Sequence, residues 1–346
     1  MLQSELGKSS MAQRLNVLCL LVPPLRDHLM RPPSVQRLEA IANVTWLPSG
    51  AVPTKPETWE TVLGDVHVIM GSWGMPRFDN QLLDLLTSLE LVAHGAGSVK
   101  PFVTPGFFEK GIRVTHGASV IAKSVGEWCL MAALVGMRRA VAFHEAMRVD
   151  GWKVSQDGHG DELAGKRIGL LAMSQTARAF LILLKPFGCD VRVYDPYLAE
   201  DDATKLGVVK EHSIDALCGW ADIISNHVPS TPETANLIGP RQLAQMQDGA
   251  LIINSARPAA IDYSALISEL QSGRLRAALD VFPNEPVSPG DPVRQLPNVL
   301  VTPHIAGATW DGRARLGATM VDEIVRFASG QPLKHEVRPD RLSTMA

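Results

Sequence analysis

Cysteine is scarce in this chain of 346 residues: Cys19, Cys129, Cys189 and Cys218 stand far apart, with no Cys-x-x-Cys pair and no Cys/His ligand spacing. That pattern excludes a disulfide framework and a zinc site, so no metal is expected, and it suits reduced thiols. Apolar neighbours surround all of them except Cys218. Charge of one sign is equally lacking. A formal net charge of -3 gives no basic footprint for nucleic acid or an anionic membrane. Long hydrophobic runs are missing near the start, where Val17 to Pro24 is too short to span a bilayer or to serve as the apolar part of a signal peptide. Residues 1–14 read as a polar, disordered tail in which Met11 is an alternative start, and a cytoplasmic protein is expected. Internal repeats, low-complexity tracts and charged tails are not found.

What is present is enough chain for two domains, each with its own core. Short β-branched runs alternate with helical stretches, which predicts an α/β protein with parallel sheets. Strands are expected at 16–21, 44–47, 66–70, 89–94 and 113–115, followed by one long helix over Ser119 to Arg148. A glycine-containing loop (Gly151, Gly158, Gly160) leads into a second series with six strands, at 167–172, 190–194, 221–225, 250–254, 277–281 and 299–302. Six strands with intervening helices predict a doubly wound dinucleotide-binding domain. A last helix near Asp311 to Ser329 places Leu316, Met320, Ile324 and Phe327 on one stripe, which should be buried.

Three of the later strands end in chemically equipped segments: Asn254-Ser255-Ala256-Arg257, Asp280-Val281-Phe282-Pro283-Asn284-Glu285-Pro286 and Thr302-Pro303-His304-Ile305-Ala306-Gly307. An arginine fork grips a carboxylate and an adjacent carbonyl oxygen through paired charge-assisted hydrogen bonds. A histidine oriented by a glutamate delivers or removes a hydroxyl proton near neutral pH. Together they fit chemistry on a 2-oxo acid, and they sit where open α/β sheets bind ligands. Each residue alone also fits a structural role in a strand-end turn.

In order, spacing and flanking residues these segments resemble the D-isomer-specific 2-hydroxyacid dehydrogenases, and the resemblance runs from about residue 64 to about residue 330. It implies two Rossmann-like, doubly wound domains, with a discontinuous substrate domain (15–120 plus 307–346) and an NAD-binding domain (121–306). It further implies that Arg257 binds substrate, that His304 is the general acid/base, that Glu285 orients His304, and that Asp280 lies near the nicotinamide ring. Ser255, Ala256, His304 and Gly307 would also line the cofactor. The segment His94-Gly95-Ala96-Gly97-Ser98-Val99 is similar to the family's glycine loop, so Gly95, Ala96 and Gly97 would offer backbone to the substrate carboxylate, beside Arg257 and His304.

The cofactor turn departs from that pattern. Where the family usually has Gly-x-Gly-x-x-Gly, this chain has Ala172-Met173-Ser174-Gln175-Thr176-Ala177. Ala172 is tolerable only at negative φ, Ser174 adds a side chain where phosphate should sit, and Ala177 adds a methyl at a packing contact. Ser174, Gln175 and Thr176 would still meet the pyrophosphate at a helix N-terminus. Asp195, about 20 residues beyond the turn, would accept hydrogen bonds from the adenosine ribose and repel a 2′-phosphate, so NAD is expected over NADP. His227, Pro229 and Thr234 would line the adenine side. Trp73 and Trp310 are candidates for shaping a substrate pocket, while His94 and His116 read as structural histidines. A homodimer through the 119–148 helix is the implied assembly, and a small 2-oxo or 2-hydroxy acid is the implied partner. The degraded turn leaves one rival open, a nucleotide-sensing or protein-binding module on the same fold.

Overall fold

The computed structural model describes residues 14–47, 65–149, 151–152 and 159–344. Of the expected 1–14 tail only Arg14 is described, its guanidinium donating to the Ala42 carbonyl at 3.0 Å, and Gly158 falls outside the described residues. The chain divides into two compact units, one formed by the chain up to Gly117 together with Arg313–Leu342, the other by Ala118–Gly312. The crossings follow Gly117 and Gly312, against expected boundaries at 120 and 306.

The first unit carries strands Leu15–Cys19 (β1), Ala42–Trp46 (β2), Val68–Gly71 (β3), Leu91–His94 (β4) and Arg113–His116 (β5). All pair in parallel, in the order β2-β1-β3-β4-β5. Every residue of β3 and β4 is buried, as befits central strands covered on both faces. The helix Trp310–Ala328 supplies Leu316, Met320 and Ile324 to this unit's core, while Phe327 stays half-buried.

The second unit holds Arg167–Leu171 (β6), Asp190–Tyr194 (β7), Val209–Lys210 (β8), Ile223–Asn226 (β9), Leu251–Asn254 (β10), Arg276–Leu279 (β11) and Val299–Val301 (β12). They form one parallel sheet in the order β12-β11-β10-β9-β6-β7-β8. Seven strands replace the expected six, because the two-residue β8 is too short to leave a periodic signal. Chain order reverses between β6 and β9, which makes the crevice at their carboxyl ends the topological switch point. Side chains alternate between the sheet's two cores with period two: Leu251 and Ile253 enter one, Ile252 the other.

Two expectations are corrected here. The 119–148 stretch is two helices, Ala118–Met137 and Ala140–Arg148, separated at Arg139, whose φ of 54° lies in the left-handed region. The left-handed residue is not a glycine, but Gly136 stands in the last turn before it, and its carbonyl accepts the Arg139 amide at 3.1 Å. The first helix has the length and apolar composition to cross a membrane, yet Trp128, Cys129, Ala132, Ala133 and Met137 are buried in the second unit's core. At Gly126 it lies so close to the helix Gln175–Leu184 that a Cβ would come within 2.9 Å of the Ala179 methyl. The second correction concerns Cys218, which is fully buried in the other core cluster and whose thiol burial pushes up to about 12.

Candidate functional site

Two asparagines build the turn that presents Arg257. Asn226, buried at the end of β9, donates from Nδ2 to Asn254 Oδ1 at 3.0 Å and to the Arg257 carbonyl at 3.3 Å. Asn254 Nδ2 donates to the same carbonyl at 3.2 Å, and its Oδ1 accepts the Ala256 amide at 3.2 Å. The backbone of Ser255 to Arg257 is thus locked from below. Arg257 Nη1 donates to the Ala256 carbonyl at 2.7 Å, which leaves the rest of its fork for a ligand. Burial lowers the Arg257 pKa from its ordinary value, and the charge of Glu285 opposes that.

The next two strand ends bring Glu285 and His304 together. Glu285 Oε2 lies 2.7 Å from His304 Nδ1, and its Oε1 accepts the Phe282 amide at 3.0 Å. Desolvation pushes the Glu285 pKa up, but the hydrogen bonds from His304 and Phe282 and the charge of Arg257 win, and the carboxyl is held below its ordinary range. A carboxylate on Nδ1 leaves Nε2 as the nitrogen that can exchange a proton with a ligand. His304 itself sits at φ 54°, a left-handed conformation that costs a non-glycine residue about 1–2 kcal/mol.

Asp280 explains how that turn is held. Its carboxylate is fully buried and accepts the Thr302 hydroxyl, the Ile305 amide at 2.8 Å and the Ala306 amide at 2.8 Å. Its carbonyl accepts the His304 amide at 2.9 Å. With three donors converging on it, the Asp280 carboxylate is a clamp for the His304 turn.

At the switch point, Ala172 adopts φ 67°. The condition under which an alanine is tolerable there, a negative φ, is therefore not met. A brace accompanies the strained residue: Asp195 Oδ2 accepts the Met173 amide at 2.9 Å, and Oδ1 accepts the Tyr197 amide at 2.9 Å. Each oxygen still has a lone pair for a ribose hydroxyl. Ser174 does not protrude as an obstacle. It is the N-cap of the Gln175–Leu184 helix, its Oγ accepting the Ala177 amide at 3.3 Å, which leaves its own proton to donate. No described residue accepts from the Gln175 and Thr176 amides, and with the helix dipole they fit a pyrophosphate. Ala177 is fully buried against the core.

The remaining expected positions divide. Pro229 and Thr234 close a loop, Thr234 Oγ1 donating to the Pro229 carbonyl at 2.6 Å. Ser255 Oγ lies 3.3 Å from Cys129 Sγ beneath the Arg257 turn. Gly307 is approached by Ile121, whose Cγ2 would be 2.9 Å from an added Cβ. His227 is the correction: its side chain is buried, bonded to Ser225 Oγ at 2.9 Å and tilted against Phe180, so the imidazole is a core group with no open face. Burial drives its pKa down to about 3. On the first unit, Gly95 and Ala96 are buried at the end of β4 and Gly97 is half-buried. A Cβ on Gly95 would meet Met320 at 2.6 Å. Sequence reasoning did not single out Asn226, although its place at a strand end, on the face opposite Ser225, was the available signal.

A doubly wound parallel sheet with an N-capped helix at its switch point and an Arg–Glu–His set on successive strand ends defines a dinucleotide-linked oxidoreductase class of site. Residues 130–306 match the model for the NAD binding domain of D-isomer specific 2-hydroxyacid dehydrogenases, and the chain belongs to that family, binding NAD(H). It is 30% identical over 311 residues to glyoxylate/hydroxypyruvate reductase B of Yersinia enterocolitica, covering 89% of this chain and 94% of that protein. It is 29% identical over 262 residues to D-3-phosphoglycerate dehydrogenase of Archaeoglobus fulgidus, covering 75% of this chain but only 49% of that protein's length. Among solved structures, D-mandelate dehydrogenase of Rhodotorula graminis superposes with a TM-score of 0.80 at 21% identity, covering 94% of this chain and 98% of that one, a likeness of fold.

Proposed function

We propose that the protein interconverts a small 2-oxo acid and its D-2-hydroxy acid. The observation that carries this reading is the 2.7 Å contact between Glu285 and His304 Nδ1, with Arg257 on an adjacent strand end. NADH, held at the switch point, would supply a hydride for the carbonyl carbon. Arg257 holds the substrate through its fork and polarises the carbonyl. His304 Nε2 delivers the proton to the developing alkoxide, and in the reverse direction removes it from the hydroxyl. Glu285 keeps the imidazole in the tautomer and orientation this needs. Gly95, Ala96 and Gly97 offer backbone to the substrate carboxylate. Ser174, Gln175 and Thr176 receive the pyrophosphate, and Asp195 takes the ribose hydroxyls and disfavours a 2′-phosphate.

Glyoxylate and hydroxypyruvate are the first substrates to offer, given the relative that covers nearly the whole chain. Trp73, 47% exposed, is the residue proposed to meet a larger side chain. A homodimer is proposed through the 118–152 region, where Met147, Val149 and Trp152 are exposed at 54%, 77% and 76%. The cytoplasm is the proposed compartment, in keeping with four free cysteines. The left-handed Ala172 favours one rival, a nucleotide-sensing module that binds cofactor without turnover. Calorimetry with NADH and NADPH, followed by an assay of NADH oxidation on glyoxylate and hydroxypyruvate, separates the two. Binding with turnover supports the enzyme, binding without turnover on any 2-oxo acid supports the rival, and no binding at millimolar cofactor removes both.

A further inference from the structure

In the loop after β4 of the first unit, three successive peptide carbonyls are each hydrogen-bonded. Ser72 Oγ donates to the Gly95 carbonyl at 2.8 Å. The Gly117 amide donates to the Ala96 carbonyl at 2.8 Å. His116 Nδ1 lies 3.2 Å from the Gly97 carbonyl oxygen, and since a carbonyl only accepts, Nδ1 carries the proton. His94 is buried beside the loop, its ring 4.6 Å from that of Phe102. In a trans peptide the C=O and the following N–H point in opposite directions, so pinning one aims the other. Ser72 aims the Ala96 amide, Gly117 aims the Gly97 amide, and His116 aims the Ser98 amide. No described residue accepts from any of these three amides.

We propose that His116 is a positioning residue that converts this loop into a three-amide cradle for a carboxylate, with Ser98 as its third donor. The inference rests on the 2-oxo acid reading above and deepens it by naming what fixes the carboxylate end. Successive backbone amides facing one point make an anion-binding concavity. The His116 imidazole orients its peptide and adds no charge of its own, because burial lowers its pKa below the ordinary 6.5. Ser72 and Gly117 already secure two of the peptides, so loss of His116 frees the third alone. The neighbouring element fits this economy: Gly95 sits against Met320, which leaves the loop no room to fall back.

The probe is oxalate, a small carboxylate that cannot be reduced at a ketone, titrated into the NADH-loaded protein. In the wild type the 15N–1H signals of Ala96, Gly97 and Ser98 are expected to shift with oxalate. His116→Ala is expected to weaken oxalate binding by tenfold or more, with NADH affinity and Tm changed little. His116→Asn, whose amide nitrogen can stand near the position of Nδ1 and donate to Gly97, is expected to recover affinity to within threefold of wild type. Unchanged oxalate affinity in His116→Ala, failure of His116→Asn to recover a loss, or a wild type whose three amides stay still would each overturn the inference. The last of these needs no variant, so a substitution that misfolds does not protect the claim. Should oxalate behave as expected while no 2-oxo acid is turned over, the cradle stands and the proposed reaction falls.

Discussion

The carbonyl of Asp280 accepts the backbone amide of His304 at 2.9 Å while the same residue's buried carboxylate takes the two amides that follow His304. The histidine of the site is thus held in a left-handed conformation by a residue on the neighbouring strand end. Removing Asp280 should therefore damage stability and chemistry together. Asp280→Ala leaves two amides and a hydroxyl buried without partners, at about 1–3 kcal/mol each, so a loss of about 3–5 kcal/mol is expected after relaxation. Asp280→Asn, which keeps one accepting oxygen, should lose less. Denaturant unfolding beside kcat measurements checks both, and a variant with full stability and full turnover would show that the turn holds itself.

His304→Ala should lower kcat by about 10² to 10⁴, the range for a lost general acid/base, with NADH affinity nearly unchanged. Arg257→Lys should be damaging as well, because the ammonium keeps the charge but loses the planar fork. Steady-state kinetics with a calorimetric control for cofactor binding tests the pair. Activity surviving Arg257→Lys would mean that the arginine does not grip its substrate through two bonds.

Ala172→Gly should stabilise the second unit. The left-handed alanine costs about 1–2 kcal/mol, and part of the relief is returned as the extra freedom of glycine in the unfolded chain. A net gain of roughly 0.5–1 kcal/mol is expected, with NADH affinity equal or higher. A lower Tm in the glycine variant would show that the brace from Asp195 to Met173 already removes the strain.

Stability should fall as the solution is acidified from pH 6.5 toward 3. His227 has its pKa lowered to about 3 by burial, so between that value and the ordinary 6.5 the unfolded chain binds the proton and the folded chain does not. Stability therefore rises with pH through this window, by up to about 1.4 kcal/mol per pH unit for one such histidine. His227→Gln should flatten that slope while leaving stability near pH 7 less affected. Glu285 works in a lower window: its depressed carboxyl stabilises the fold above the ordinary 4.5 and loses that contribution only as pH drops through its lowered value. Unfolding curves at pH 7, 6 and 5 check the histidine, and equal slopes for wild type and His227→Gln would contradict it.

Arg257, Glu285 and His304 were legible in the sequence because each belongs to a short segment at the end of a strand that hydrophobic pattern alone identifies. The seventh strand was not, since Val209–Lys210 is shorter than any period. The helix break at Arg139 escaped because no proline signals it and Gly136, which ends the first helix, sits inside an otherwise continuous apolar helical pattern. The clamp at Asp280 and the buried imidazole of His227 were not legible for a common reason: a polar side chain at a strand end looks the same in sequence whether it faces a ligand or satisfies donors inside the fold. Only convergence in space tells them apart, as the three donors around Asp280 do. The sign of φ at Ala172 is likewise set by the strand–turn–helix geometry and leaves no trace in residue type.

The central claim is that this site moves a hydride from NADH to C2 of a 2-oxo acid while His304 supplies the proton. The most direct test is reduction of hydroxypyruvate with NADH deuterated at C4 of the nicotinamide, with the product read by mass and by handedness. The account predicts a D-2-hydroxy acid carrying deuterium at C2, formed by the wild type and lost in His304→Ala. An L-product, deuterium absent from C2, or turnover that survives His304→Ala would contradict it.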